Sequence, residues 1–371
     1  MNFSISSNDL QKVLGNIGGV IPSKSTLPIL ENFLFEAQKD QLRLTATDLD
    51  ISMSVDIPLK VIKEGKIAVP AKRLFETVRS LPSTEMTFIA EPNNNKITIS
   101  TSNGEYKLTG ESVENFPTIS TFKSIEEIKI SENILRRLIS KTLFAVSTDE
   151  LRPAMMGVLF QFRKTEIRVA ATDGHRLVRF VNSSFSSGKK DIDLIIPAKA
   201  LNLVLKSIGD GECTISLNEE SIMFTFNKTT LISRLISEKY PNYESVIPLD
   251  NDKTLVIDKN QLISSVRRTS LYASLTTHQI RFALKKGNLT VSAEDIDLGS
   301  EAKEMLSCDY SSEPMEIGFN SNYITDLLTH IDTDEATFSM GSSTRAAIVK
   351  PVTQHNGENL LMLVMPVRLN V

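Results

Sequence analysis

The sequence predicts an α+β fold made of three repeated domains, each with two helices and largely antiparallel strands. Two observations predict it. Short motifs recur three times at nearly constant spacing, and within each copy apolar residues follow first a helical and then a strand periodicity. The 371 residues are enough for two or three domains of ordinary size.

The most informative motif ends a β-branched stretch and begins a turn. Its copies read LRLTATDLD at 42–50, IRVAATDGH at 167–175 and LTVSAEDID at 289–297, so Asp48, Asp173 and Asp295 lie 125 and 122 residues apart. A second motif reads IAVPAKRL at 67–74, LIIPAKAL at 194–201 and, more weakly, IGFNSNYI at 317–324. The matching offsets predict domains at residues 1–121, 126–248 and 253–371.

Each copy is predicted to open with a helix, because Ser6, Ser131 and Asp258 are good N-cap residues before apolar residues at helical spacing. Alternating β-branched stretches follow in the second copy at 157–162 and 166–170. A second helix is predicted after Pro197, with more strands at 213–217 and 221–226. We therefore expect helices on one face of antiparallel sheets.

Composition narrows the class of protein. The net charge is -4, which for the whole chain argues against a basic nucleic-acid binder. Two cysteines, Cys213 and Cys308, cannot build a disulfide framework or a zinc site alone. There is no apolar run of membrane-spanning length and no signal-peptide pattern at the start. We expect a cytoplasmic protein with no membrane association, no metal and no cofactor.

Basic residues recur on the predicted helices. Lys72 and Arg79 lie seven residues apart on one face of a second helix, and Lys199 and Lys206 take the matching positions in the next copy. The first helix of the second copy adds Arg136, Arg137 and Lys141. We expect these side chains to face solvent. They form either an ordinary solvated surface or a local positive surface for phosphates.

A search for catalytic motifs finds no zinc spacing, phosphate-binding loop or nucleophile elbow. One interpretation makes Asp173 and His175 the acid–base pair of a hydrolase. However, every copy carries the acid, which favours a turn role for Asp173, Asp48 and Asp295. The run GHRL at 174–177 belongs to the second copy alone and indicates either a binding site or an ordinary strand end. A peptide-binding scaffold without a DNA role is a further alternative.

The runs ATDGHRL at 171–177, MPVRL at 365–369 and TLPIL at 26–30 together resemble the bacterial DNA polymerase III β subunits, a family of sliding clamps. The resemblance covers the whole chain. It implies the DNA clamp fold and a head-to-tail homodimer whose six domains form a ring around duplex DNA. It also implies a processivity factor, not an enzyme, with the polymerase α subunit, the clamp loader and other proteins that carry a clamp-binding motif as partners.

The resemblance also implies site residues. A partner-peptide groove between the second and third domains would be formed by Met155, Thr172, Gly174, His175, Arg176, Leu177, Pro241, Val246, Asn320, Tyr323, Thr344, Leu363, Val364, Met365, Pro366, Val367, Arg368 and Leu369. DNA would be contacted by Lys24, Lys72, Arg79, Arg136, Arg137, Lys141, Lys199 and Lys206. The dimer interface would use Tyr106, Leu108, Leu271, Tyr272 and Leu275.

Two features depart from the family pattern. Ser245 stands where an arginine is common, and Asn370 and Val371 extend beyond the usual terminal leucine. Because Pro366 cannot donate to a strand ladder, we expect the residues after it to be free to line the groove and not to hold the core.

Overall fold

Two helices fall in each of the three repeats, as the periodicity predicts. The computed structural model describes residues 1–91, 93–119, 122–186 and 191–369. Within these ranges the α-helices are α1 (Ser7–Ile17), α2 (Ala71–Ser80), α3 (Glu132–Ser140), α4 (Ala198–Ser207), α5 (Lys259–Ser270) and α6 (Ser321–Thr329). No helix in the described part of the chain is long and apolar enough to cross a membrane.

The strands alternate buried and exposed residues, as expected for sheets with one covered face. Their bounds are β1 Asn2–Ser6, β2 Asn32–Gln38, β3 Gln41–Thr47, β4 Ile51–Pro58, β5 Val61–Lys63, β6 Gly65–Pro70, β7 Glu85–Glu91, β8 Lys96–Ser100, β9 Glu105–Thr109, β10 Glu126–Ser131, β11 Gly157–Phe162, β12 Ile167–Thr172, β13 Arg176–Asn182, β14 Ile192–Pro197, β15 Glu212–Leu217, β16 Ser221–Phe226, β17 Thr229–Arg234, β18 Lys253–Asp258, β19 Gln279–Lys285, β20 Asn288–Asp295, β21 Ser300–Ser307, β22 Asp309–Tyr310, β23 Met315–Asn320, β24 Glu335–Met340, β25 Ala347–Pro351 and β26 Glu358–Val364.

The predicted α+β class is confirmed, and every strand pairing between these elements is antiparallel. The predicted helix caps are confirmed in part. Asp258 accepts a hydrogen bond from the Gln261 amide, and Ser131 accepts one from the Asn133 amide. Ser6 makes no side-chain cap. There the neighbouring Ser7 hydroxyl donates to the Pro82 carbonyl and accepts from the Thr84 amide. These bonds join the start of α1 to the loop between α2 and β7.

The chain divides into two compact units. The first contains Met1–Arg136 and Lys199–Leu235, and the second contains Arg137–Ala198 and Ile236–Val371. In the first unit the sheets run β5-β1-β7-β8-β9 and β10-β15-β16-β17-β4-β3-β2-β6. In the second they run β14-β11-β12-β13-β26-β25-β24-β18-β22 and β21-β20-β19-β23. Each unit thus groups strands from different repeats, so the three domain boundaries stay a prediction.

One strand pairing occurs in both units at equivalent places. The strand that follows the first aspartate turn, β4, pairs with β17, the last strand of the second repeat. The strand that follows the second aspartate turn, β13, pairs with β26, the last strand of the third repeat. We call these two pairings the repeat junctions. The strand that follows the third aspartate turn is β21, and the last strand of the first repeat is β9. These two strands do not pair with each other, and each lies at the edge of its sheet.

The repeated aspartate makes the same turn three times, which confirms its predicted turn role. Asp48 Oδ1 accepts from the amides of residues 50 and 51, Asp173 Oδ1 from those of residues 175 and 176, and Asp295 Oδ1 from those of residues 297 and 298. The geometry is that of an Asx turn, in which a short carboxylate replaces a backbone acceptor.

A second contact closes each repeat and was not predicted. The amide of Glu111 donates to Ala68, that of Ile236 to Ile195 and that of Val367 to Gly318, with distances of 2.9, 3.0 and 2.9 Å. The three acceptors occupy matching positions before the second helix of each repeat. At Gly318 a β-carbon would lie 2.6 Å from the Val367 carbonyl oxygen and 2.8 Å from Leu369 Cδ2. Glycine is therefore required there by the close approach of the tail.

We predict that Leu49→Gly raises the midpoint of thermal unfolding above that of Leu49→Ala. Leu49 and Gly174 occupy the same turn position with φ of 81° and 91°, a left-handed conformation that costs a non-glycine residue about 1 kcal/mol. Both variants remove the half-exposed side chain, so the comparison isolates the backbone. Equal or reversed midpoints for the two variants would show that the turn stores no strain.

Candidate functional site

The turn of the second repeat presents its backbone to solvent. Thr172 Oγ1 donates to the Arg176 carbonyl and accepts from the Gly174 amide, while Asp173 holds the next two amides. Gly174 and His175 are exposed at the tip. A β-carbon at Gly174 would lie 2.8 Å from Arg152 Nη1, so a side chain here would meet Arg152. The turn therefore exposes its backbone at Gly174 and His175, beside the Arg152 guanidinium.

Arg176 joins the turn to two other elements of the second unit. This buried guanidinium donates from Nε to Asp173 (3.1 Å), from Nη1 to Asp326 on α6 and from Nη2 to the Phe144 carbonyl (2.8 Å). It also lies 4.8 Å from the centre of the Tyr323 ring and 5.4 Å from that of Phe144. The resemblance implies Arg176 as a groove residue, but its anchoring role was not predictable, because Asp326 and Phe144 are distant in sequence.

The floor beside the turn is apolar. Leu177 on β13 pairs with Leu363 on β26, and both are buried. They belong to one cluster with Tyr240 and Tyr243, and Ile247 packs against it. Burial raises the pKa of Tyr240, because an ionised hydroxyl would lack water there. The cluster gives an apolar base on which side chains from outside can rest.

The structure brings His175, Tyr323 and Met365 together beside this floor. The His175 and Tyr323 rings stack with centroids 6.1 Å apart, and the Met365 amide donates to the His175 carbonyl. Exposed positions are Gly174, His175, Pro241, Val246, Thr344, Met365 and Arg368; half-buried ones are Met155, Thr172, Asn320, Tyr323, Pro366, Val367 and Leu369; and buried ones are Arg176, Leu177, Leu363 and Val364.

The groove residue Asn320 and Ser245, the residue that departs from the family pattern, both make contacts within the chain. The Asn320 side chain caps α6 by accepting from the amides of Asn322 and Tyr323. The Ser245 hydroxyl donates to the Asn242 carbonyl (2.7 Å) within its own turn and remains exposed.

The expectation that the residues after Pro366 are free of structural duties is wrong for Val367. Its amide is bonded to Gly318, as in the equivalent closures of the other repeats, and Leu369 packs against the same glycine. Met365 and Arg368 remain exposed. The predicted extension, Asn370 and Val371, lies outside the described residues.

The basic residues predicted to face DNA fall into two groups. Lys24, Lys72, Arg79 and Lys206 are exposed and make no ion pair with the described part of the chain. Lys199 instead reaches Asp48 Oδ2 (2.5 Å) and the Val20 carbonyl (3.1 Å) within the first unit. Arg136 donates to the carbonyls of Ile208 and Gly209. The first group offers free charge, whereas the second holds its own fold together.

The expectation that Arg137 and Lys141 face solvent is wrong. The Lys141 side chain is only 8% exposed and donates to Asp332 Oδ1 and the His330 carbonyl, both at 2.6 Å. Arg137 makes two bonds to Glu358 and one to Asp332 Oδ2 (2.8 Å). We call these four side chains the ion cluster. They pair because burying a cation requires a nearby carboxylate.

The ion cluster is connected to Arg176 through two rings. The His330 ring stacks on Phe144 with centroids 3.8 Å apart, and its Nδ1 lies 2.7 Å from the Asp326 carbonyl. Burial lowers the pKa of His330, so a neutral ring is favoured at neutral pH. Phe144 and Asp326 are also the partners of Arg176. A continuous set of contacts therefore supports the groove wall from behind.

The predicted interface residues are apolar and mostly exposed. Leu271 and Leu275 are each 81% exposed, and Tyr106 and Tyr272 are 37% and 45% exposed. Leu108 is already buried within its own sheet, where it pairs with Ile97. Leu271 and Tyr272 follow α5, whose Arg268 makes two 2.6 Å bonds to Glu304 on β21. Leu271 and Tyr272 therefore follow a helix that contacts β21, which is an edge strand of its sheet.

The structure engages Asp173 and His175 with other partners and does not join them as an acid–base pair. The Asp173 carboxylate is engaged by two backbone amides and by Arg176, while the His175 ring lies on Tyr323. Among the described residues, no group of three histidine, cysteine, aspartate or glutamate side chains is placed to hold a metal ion.

Comparison with known proteins covers the chain from end to end. Family models for the N-terminal, central and C-terminal domains of the DNA polymerase III β subunit match residues 1–120, 129–242 and 244–368. A β sliding clamp of Pseudomonas aeruginosa is 31% identical, with all of both chains covered. The chain belongs to the β sliding clamp family. The predicted clamp fold and the role of a processivity factor in DNA replication are thereby confirmed.

Solved clamps have the same architecture. A sliding clamp of Pseudomonas aeruginosa bound to griselimycin superposes with a TM-score of 0.92 at 30% identity, and one of Bartonella birtlesii bound to griselimycin with 0.93 at 29%. Both comparisons cover all of both chains. A clamp of Chlamydia pneumoniae is 28% identical over the full length of both chains.

We predict that Asp332→Asn flattens the loss of stability between about pH 4 and pH 2. Burial alone would raise the pKa of Asp332, but hydrogen bonds from Lys141 and Arg137 outweigh it and lower the pKa from 3.8 to about 2. The carboxylate therefore stabilises the fold above pH 4, and this contribution is lost as the pH falls towards 2. At pH 7 the variant should lose about 1–2 kcal/mol, less than a fully buried pair.

Thermal unfolding midpoints from pH 2 to pH 7 provide the measurement. Asp210→Asn is the matched control, because Asp210 has an 89% exposed side chain and only a 4.0 Å contact to Arg136. An Asp332→Asn profile parallel to wild type below pH 4 would contradict the assignment.

Proposed function

We propose that two copies of the chain close into a six-domain ring around duplex DNA and hold the replicative polymerase on it, without catalysing a reaction. The full-length relationship to β sliding clamps carries this proposal. The fold supports it independently through its strand edges. In this role the chain acts on chromosomal DNA, hence in the cytoplasm, and needs a clamp loader to enclose DNA in the ring.

The repeat junctions indicate how the ring closes. Within one chain, β4 pairs with β17 and β13 pairs with β26. The third equivalent pairing would join β21 with β9, and both strands have an open edge within their own sheets. If β9 of one copy pairs with β21 of a second copy, the same junction is repeated and no edge is left exposed. Two chains of three repeats then close with two such contacts.

The residues around these edges fit an interface. Tyr106 lies on β9, and Leu271, Tyr272 and Leu275 follow α5, which contacts β21 through Arg268 and Glu304. Three exposed large apolar side chains within five residues, Leu271, Tyr272 and Leu275, are close enough in sequence to form one apolar patch, which is typical of the centre of an interface. Charged neighbours such as Arg268 and Glu304 would form the rim.

DNA contact is assigned to the exposed cations. Lys72 and Arg79 on α2, Lys206 on α4 and Lys24 in a nearby loop can meet phosphates without reading sequence. A ring retains DNA by enclosing it, so the chain needs few such contacts, and a net charge of -4 is compatible with the role. Arg136, Arg137, Lys141 and Lys199 have bonds within the chain, and we assign them a structural role.

The groove is proposed to take a short extended peptide from the polymerase α subunit and from other partners. Apolar anchors of the peptide would rest on the Leu177–Leu363 floor, beside the exposed Val246 and Met365. The flexible methionine suits several partners. The open backbone at Gly174 and the exposed His175 can supply hydrogen bonds to the peptide main chain.

We predict that replacing Leu271 and Tyr272 together with aspartate gives monomers that are not retained on circular DNA. The buried charges would oppose apolar contact and strand pairing at the β9–β21 edge. Light scattering measures the dimer, and loading onto circular DNA followed by linearisation measures retention. Wild type should stay on circles and leave linear DNA. Ile62→Asp, at the opposite edge of the first sheet, should behave as wild type; a dimeric double variant would overturn the proposed interface.

We predict that Val246→Asp and Met365→Asp each weaken binding of a C-terminal polymerase α peptide more than tenfold. Truncating an anchor contact costs about 1–4 kcal/mol, and about 1.4 kcal/mol is tenfold in affinity. Both side chains are exposed, so the melting temperature should hold. Calorimetry measures the affinity, and Val352→Asp, a substitution at another exposed valine, is the control. Unchanged affinity in both groove variants would place the partner site elsewhere.

A further inference from the structure

We propose that the groove continues along the same sheet face into a cavity where Arg179 binds an acidic residue flanking the partner peptide. This inference rests on the proposed peptide groove and extends it. It assigns a charge preference to a part of the second unit that lies outside the predicted groove residues.

The register of β13 establishes the continuity. Leu177, Arg179 and Val181 alternate along the strand and therefore share one face. Their partners on β26 are Leu363, Leu361 and Asn359. Because two strand residues advance about 6.6 Å, Arg179 lies one step and Val181 two steps beyond the groove floor. An extended peptide on the floor can cover this distance with two to four residues.

A cavity of about 480 Å³ opens at this end of the face. Val181 contributes to its lining together with Arg168, Arg179, Ser183 and Asn359. Tyr243 connects the cavity to the floor: it belongs to the floor cluster, and the charges of Arg168 and Arg179 act on its hydroxyl. The two regions therefore adjoin each other.

The acidic residues around the cavity are already neutralised. Glu166 Oε1 accepts from Arg168 Nε at 2.5 Å. Glu358, also in the lining, accepts two bonds from Arg137 as part of the ion cluster. Arg179 forms no ion pair with the described residues. Its charge is therefore left uncompensated beside the cavity.

Arg179 also lacks full hydrogen bonding. Its Nη2 reaches Asn359 Oδ1 only at 3.5 Å, which is a weak contact, and its buried Nε has no partner in the described structure. A buried donor without an acceptor is unfavourable. A carboxylate in the cavity can accept from the terminal nitrogens Nη1 and Nη2 together, which compensates the charge and replaces the weak Asn359 contact. The geometry therefore favours aspartate or glutamate over neutral residues.

The experiment compares peptides that differ only in flanking charge. The polymerase α C-terminal peptide is extended at either end by three aspartates or three asparagines, and its affinity is measured by calorimetry at low salt. At one end of the peptide we expect the aspartate extension to bind wild type about fivefold more tightly than the asparagine extension. At the other end we expect the two extensions to bind equally. Arg179→Gln should remove this preference and leave the asparagine peptides unchanged.

Arg281→Gln is the matched control, because Arg281 lies in the other sheet of the unit and pairs with Glu316. Arg179→Lys keeps the positive charge but loses the planar guanidinium, so it should retain part of the preference for aspartate. If Arg179→Gln does not fold, the lysine variant provides the test instead. Equal binding of all four peptides to wild type, or a preference that survives Arg179→Gln, would overturn this inference while the groove stands. Failure of every peptide to bind would overturn the groove as well.

Discussion

An open strand edge exposes a row of backbone donors and acceptors, and the architecture of this clamp follows from the need to pair such edges. The strand after an aspartate turn has one free side, and in two repeats the last strand of the next repeat fills it, as β17 does for β4 and β26 for β13. These junctions divide the strands of the middle repeat between two sheets. They also bring the tail at Met365 to the turn at His175, so the groove is a product of the junction.

The two junctions within a chain show how a repeated scaffold acquires a single binding site. In the first unit, Lys199 bonds Asp48, and Leu49 holds the left-handed position of the turn. In the second unit that position is Gly174. Arg176 bonds Asp326 on α6, and the tip of the turn remains exposed to solvent. The shared aspartate builds the turn, and the residues that differ between the copies decide whether its surface is occupied by the chain itself or remains available.

Features that depend on local sequence were predictable. The threefold spacing located the aspartate turns, and apolar periodicity located the six helices. Features that depend on distant partners were not. Lys141 looks like a surface lysine because its carboxylate, Asp332, lies 191 residues away, and Arg137 is separated from Glu358 by 221. Likewise, the contact between Val367 and Gly318 could be recognised only after the equivalent contacts in the other repeats were seen in three dimensions.

The pairing of β13 with β26 has a consequence for synthesis on the ribosome. About 180 residues separate the end of β13 at Asn182 from the start of β26 at Glu358. At roughly 5–20 residues per second, the growing chain carries an unpaired β13 edge, with its buried leucine and valine side chains, for roughly 10–40 s. During that interval the half-built sheet can pair with a neighbouring nascent chain, since nothing in the edge distinguishes intramolecular from intermolecular strands. Misassembly of this fold is therefore most favoured on dense polysomes, where nascent chains lie close together. Chaperones would have to cover the middle repeat until β26 has been made, because its sheet includes strands of the third repeat.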